Sequence, residues 1–168
     1  MTLADLPPLL EMALWGALAT AAMTGIMHGA QGLGLSRLSI PFMVGAIFCG
    51  DRRVAAVVGF AFYLVGGWIF AFLYFLVLTS VELLTWWAGG LLGLLHGLLL
   101  LVAAFPLLPF VHPRMASDFD APVARPVLEP PGFLALNYGK GTPAVMLAAQ
   151  GLYGMLIGGL PQLRDAFA

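Results

Sequence analysis

The chain has 168 residues, of which 61% are hydrophobic and only 9% charged, with a formal net charge of -1 and a mean hydropathy of +0.99. A soluble domain is about one quarter charged, so this composition belongs to a chain dissolved in lipid, with no basic face on which nucleic acid could be held by counterion release. The single cysteine, Cys49, excludes an internal disulfide and is too little for a cysteine-based zinc or iron–sulfur centre.

A bilayer core of about 30 Å takes about 20 helical residues. Four stretches reach that length, at about 9–32, 54–78, 83–108 and 143–160. Residues 1–11 carry Asp5 and Glu11 and no Lys or Arg, which predicts a retained first helix rather than a cleaved secretory signal. After it, residues 40–50 (IPFMVGAIFCG) cover about half of a crossing. With Pro41 at the start and Gly50-Asp51 at the end, this piece predicts a short interfacial or re-entrant helix. A re-entrant segment needs its loose backbone groups covered by protein or water.

The second span is crowded with aromatics, from Phe60 to Phe75, expected to face lipid or fill the bundle. Trp86 and Trp87 at the head of the third span suit an interfacial aromatic belt, and Glu82 the outer turn before it. Pro106 and Pro109 are expected to break that span at its far end. The loop at about 109–142 holds six prolines and three of the eight acidic residues, which predicts an extended lid rather than a domain. Its pointed features are VHPRM (111–115) and FLALNYG (133–139). Pro143 and Pro161 bracket the fourth span.

Lys and Arg concentrate in two connections: Arg37, Arg52 and Arg53 in the first, Arg114, Arg125 and Lys140 in the last. Because cytoplasmic loops retain positive charge, both termini are predicted to be periplasmic and both long loops cytoplasmic. His112, Arg114, Arg52 and Arg53 are then expected at headgroup or loop level, with Arg114 pairing with a lipid phosphate or an acid such as Asp51.

Two pentapeptides repeat one pattern: GIMHG at 25–29 and GLLHG at 93–97. Both are also Gly-x-x-x-Gly, a spacing that lets two membrane helices approach closely. Gly89, Gly93 and Gly97 extend it in the third span, as Gly154 and Gly158 do in the fourth, beside Gly25 and Gly29 in the first. These glycines are assigned to helix packing. His28 and His96 lie beside the glycine grooves, at depths that differ by an offset on the order of 5 Å at 1.5 Å per residue.

Three readings of the histidines stay open. They hydrogen-bond across helix interfaces, they ligate a haem, chlorin or metal through neutral imidazole, or they line a polar path for protons or a small solute. Nothing in the sequence demands a cofactor, and no third or fourth ligand is evident for a metal site.

The order of these signals resembles an uncharacterised family of bacterial four-span inner-membrane proteins. The resembling pieces are TAAMTGIMHGAQGLGL, IPFMVGAIFCGDRR, GGLLGLLHGLLL, VHPRM and FLALNYGKGTP. The resemblance implies the topology and a bacterial cytoplasmic-membrane location, and carries over no catalytic residue. It also implies a histidine shortly before LYG of the fourth span, where this chain has Gln150-Gly151, against a shared metal site at that position.

The expected fold is all-α: one polytopic membrane domain with four transmembrane helices and one short interfacial or re-entrant helix. No Walker loop, Gly-x-Ser-x-Gly elbow or HExxH signature points to an enzyme. The expected function is a non-enzymatic subunit that packs in the lipid bilayer against other membrane subunits or as a homo-oligomer. The alternatives are a His-ligated haem, chlorin or metal protein and a small oligomeric transporter or channel.

Overall fold

The computed structural model describes residues 8–116, 128–160 and 162. Among them the protein is all-helical: α1 (Pro8–Gly32), α2 (Ile40–Phe48), α3 (Arg52–Ser80), α4 (Trp86–Leu99), α5 (Phe105–Val111) and α6 (Thr142–Gly158). A π-helical turn at Leu100–Ala104 joins α4 to α5, so Trp86–Val111 runs on as one helix. This helix and α3 are each long and apolar enough to cross a membrane.

Local chemistry sets the helix ends. The Asp51 carboxylate accepts from the Arg53 and Val54 amides at 2.9 and 3.0 Å, so α3 begins two residues before the apolar run expected to open it. Thr85 caps α4 through the Ala88 amide, and Leu83 and Leu84 fall in the preceding turn, where Glu82 has φ +56°. The prolines expected to end the third span at about 108 do not. Pro106 sits in the first turn of α5, where the wide turn before it absorbs the missing N–H, and Pro109 lies inside the helix.

α6 packs between α1 and α4, and α1 also packs on α3, whose first turns carry α2. α4 and α6 are antiparallel. A Cβ at Gly89 would overlap the Gly154 carbonyl, and one at Gly93 the Gln150 carbonyl; Gly97 meets Gln150 and Leu147 at the other end. Close backbone approach of this kind holds membrane helices together where no hydrophobic drive exists between them and lipid. α2 repeats the device against α3, with Gly45 on the Ala55 carbonyl and Gly59 on the Pro41 carbonyl. Tyr153, Leu101, Met146 and Ile157, all buried, form the centre, while leucines, valines and phenylalanines of α1, α3 and α4 face outward.

The two long connections meet at one end of the bundle. The Ser36 and Thr142 hydroxyls are 2.9 Å apart and buried, and the Arg37 amide donates to the Tyr138 carbonyl at 2.7 Å.

Candidate functional site

At that end, VHPRM closes the C-terminus of α2. A helix leaves its last carbonyls without partners; here the Arg114 guanidinium donates to the Ala46 and Ile47 carbonyls at 2.6 and 2.8 Å, and a cation suits the negative end of the helix dipole. His112 is buried, with Nε2 3.0 Å from the Met43 carbonyl and Nδ1 accepting from the Arg114 amide at 3.2 Å. His112 is thus packed between the end of α2 and the VHPRM turn. Asp51 is no partner of Arg114, since it caps α3.

FLALNYG is a folded strap on the 33–39 connection. Leu134 and Ala135 hold positive φ near +55°, and Ala135 is fully buried. Arg37 donates to the Asn137 carbonyl at 2.6 Å and pairs with Glu129 at 3.2 Å. The Tyr138 hydroxyl donates to the Glu129 carbonyl. Burial raises the Tyr138 phenol above its ordinary pKa, Glu129 adds to this, and Arg37 offsets part of it. The part of the predicted lid at 128–142 is thus bonded to the bundle; residues 117–127, including Pro122 and Pro126, lie outside the described residues. Arg52 lies over the Phe42 ring, 5.5 Å from its centroid, and Arg53 is exposed. Arg37, Arg52, Glu129 and Tyr138 border an open cleft of about 660 Å³ at this end.

His28 and His96 have different partners among the described residues. His28 is exposed on α1, with Nδ1 3.3 Å from Gln31 Oε1. Beside it Gly25 and Gly29 have nothing within 4 Å of where a Cβ would stand. Within the single chain they therefore meet no other helix, because α1 turns this face outward. Gly89, Gly93, Gly97, Gly154 and Gly158 do form the expected seam. An axial pair on a haem or chlorin needs both imidazoles free and on one axis, whereas Nδ1 of each is here against a side chain of its own, Gln31 for His28 and Tyr74 for His96.

His96 faces inward between α3 and α4. Its Nδ1 is 2.9 Å from the Tyr74 hydroxyl, and its ring lies against Phe70 with centroids 4.4 Å apart. The two helices touch little despite being consecutive. Among α1, α2, α3, α4 and α6 is a cavity of about 220 Å³, lined by apolar side chains together with His96, Gln150, Tyr63 and Tyr153. Tyr153 donates to the Gly67 carbonyl at 2.5 Å. Sequence reading passed over Gln150 as a residue of function, and over Gly45 and Gly59 as packing residues; a lone amide in an apolar span and small residues four apart were the signals available. Among the described residues no group of three or more His, Cys, Asp or Glu could hold a metal ion.

No protein-family model, curated protein or solved structure matches this chain.

Proposed function

We propose that this chain is a four-span protein of a bacterial cytoplasmic membrane and that it acts as a non-enzymatic subunit, packing laterally on another transmembrane helix. In this reading α1, α3, the continuous Trp86–Val111 helix and α6 are the spans. α2 is a re-entrant half-helix on the cytoplasmic side, with its end carbonyls covered by Arg114. The likeness to the bacterial four-span family forms part of the same proposal.

The outward stripe of α1 carries the functional reading. Leu14, Leu18, Ala21, Gly25, His28 and Gly29 are all exposed, and Ala21, Gly25 and Gly29 repeat at four-residue spacing. Small residues at this period, edged by a polar side chain, are the chemistry by which membrane helices associate. The occupant that fits is an apolar helix presenting small residues of its own.

Cysteine cross-linking tests this. In a Cys49→Ser background, Gly25→Cys labelled with a benzophenone maleimide and illuminated in native membranes, so that the ketone inserts into a neighbouring C–H bond, is expected to give a cross-linked species, while Val57→Cys treated in the same way, on an exposed face of α3, stays monomeric. A band of twice the monomer mass identifies a second copy, and any other mass a different subunit. A Gly25→Cys protein that stays monomeric as completely as Val57→Cys overturns docking on this face.

A further inference from the structure

We propose that the cavity among α1, α2, α3, α4 and α6 is a binding site for a neutral, lipid-soluble ring compound bearing carbonyl or hydroxyl oxygens, the chemistry of a quinone head group. Gln150 is the decisive residue. It is 5% exposed, lines the cavity and has no side-chain hydrogen bond among the described residues. Its amide keeps some accessible surface, so it is not sealed off like the Tyr63 hydroxyl, and an amide facing an apolar space in a bilayer has no water to bond. Two further groups border the same space with bonding capacity to spare. The Tyr63 hydroxyl is buried and lacks a partner of normal hydrogen-bond geometry. Thr24 stands near; its proton goes to the Thr20 carbonyl at 2.6 Å, which leaves its oxygen as an acceptor, but the two hydroxyls do not meet at hydrogen-bond geometry. His96 uses Nδ1 on Tyr74 and leaves Nε2 without a described partner.

The walls select the rest of the ligand. Phe62, Phe70, Met23 and Leu100 are apolar, and no charged residue lines the space, so an ion would enter without compensation. The space of about 220 Å³ is open on the side of the exposed Phe62 and Phe70, and its size suits a substituted six-membered ring. Gln150 and Tyr63 supply donors for ring oxygens. The sparse contact between α3 and α4 gives a tail a way out into lipid.

Gly66 makes the idea testable without touching the polar groups. It lines the cavity, and a Cβ there would meet nothing within 4 Å, so Gly66→Leu fills the space and spares the backbone. Tetramethyl-1,4-benzoquinone is titrated calorimetrically into the protein in nanodiscs, with empty nanodiscs as reference. One saturable site is expected, abolished in Gly66→Leu, weakened at least tenfold in Gln150→Leu and unchanged in Gly25→Leu, which alters only the outer face of α1. Tyr63→Phe, expected to weaken binding, serves where Gly66→Leu does not fold. Uptake no greater than in empty nanodiscs, or one affinity across the cavity variants, overturns the site. Equal affinity for decanol overturns the ring assignment. Because the site lies away from Gly25, its failure and that of lateral docking are read separately.

Discussion

Arg114 shows how a side chain's partner within the fold escapes a reading of the sequence. Its position after the third span put it at the cytoplasmic end, where a phosphate or Asp51 was the natural counter-ion. The structure gives the guanidinium to two carbonyls of α2, because the end of a half-helix has acceptors that nothing else can reach. Hydrogen bonds from a charged donor contribute about 1.5–3 kcal/mol. Arg114→Ala is expected to lower the unfolding free energy in detergent by about 2 kcal/mol, with Arg114→Lys between it and the wild type, since an ammonium lacks the planar fork. Denaturant titration followed by circular dichroism measures both. Equal stability of all three proteins would remove the capping role. His112 teaches the same lesson: its neighbours in sequence do not reveal the packing of α2 over it.

At the scale of the elements, identical glycine spacings have opposite consequences. Gly89 sits where α4 and α6 touch backbone to backbone, whereas Gly25 faces away from every other described helix. Overpacking a tight interface costs about 1–3 kcal/mol and at times more. Replacing glycine by alanine in an unhindered helix contributes about 0.8–1.0 kcal/mol of helix propensity. Gly89→Ala is therefore expected to destabilise the detergent-solubilised monomer by about 3 kcal/mol or more, and Gly25→Ala to leave it as stable or slightly more so. Thermal unfolding of the two variants side by side checks this; equal losses would mean that the α1 face is packed within the monomer. The spacing alone could not separate the two cases, since it states that a helix can be approached closely and not which helix does so. Helix boundaries were far more legible. Expected and observed ends differ by at most three residues, and the differences trace to caps at Asp51 and Thr85 and to a π-turn that carries the helix past Pro106 and Pro109.

For the whole molecule, both long connections lie at one end, joined through Ser36, Arg37, Tyr138 and Thr142. The turn after α3 lies at the other, where the Gln162 amide donates to the Leu84 carbonyl at 3.4 Å. With positive charge concentrated at the first end, the proposed orientation puts it in the cytoplasm. In a Cys49→Ser background, Ser80→Cys is expected to react with a membrane-impermeant maleimide in cells with a permeabilised outer membrane, and Lys140→Cys only after the inner membrane is opened. The reverse pattern would invert the topology.

Sequence by itself determined the helical class, the lengths and order of the apolar helices, the short helix between the first two and the concentration of charge in two connections. These follow from hydropathy, helix period and capping chemistry, which are local. Tertiary structure decided which glycines meet a backbone, that His28 and His96 have different partners, that HPRM caps α2, that LNYG straps the loops together, and that Gln150 borders a cavity. Each depends on how a helix is rotated about its own axis against its neighbours, and an apolar sequence with few polar residues to mark an inward face leaves that rotation undefined until the helices pack.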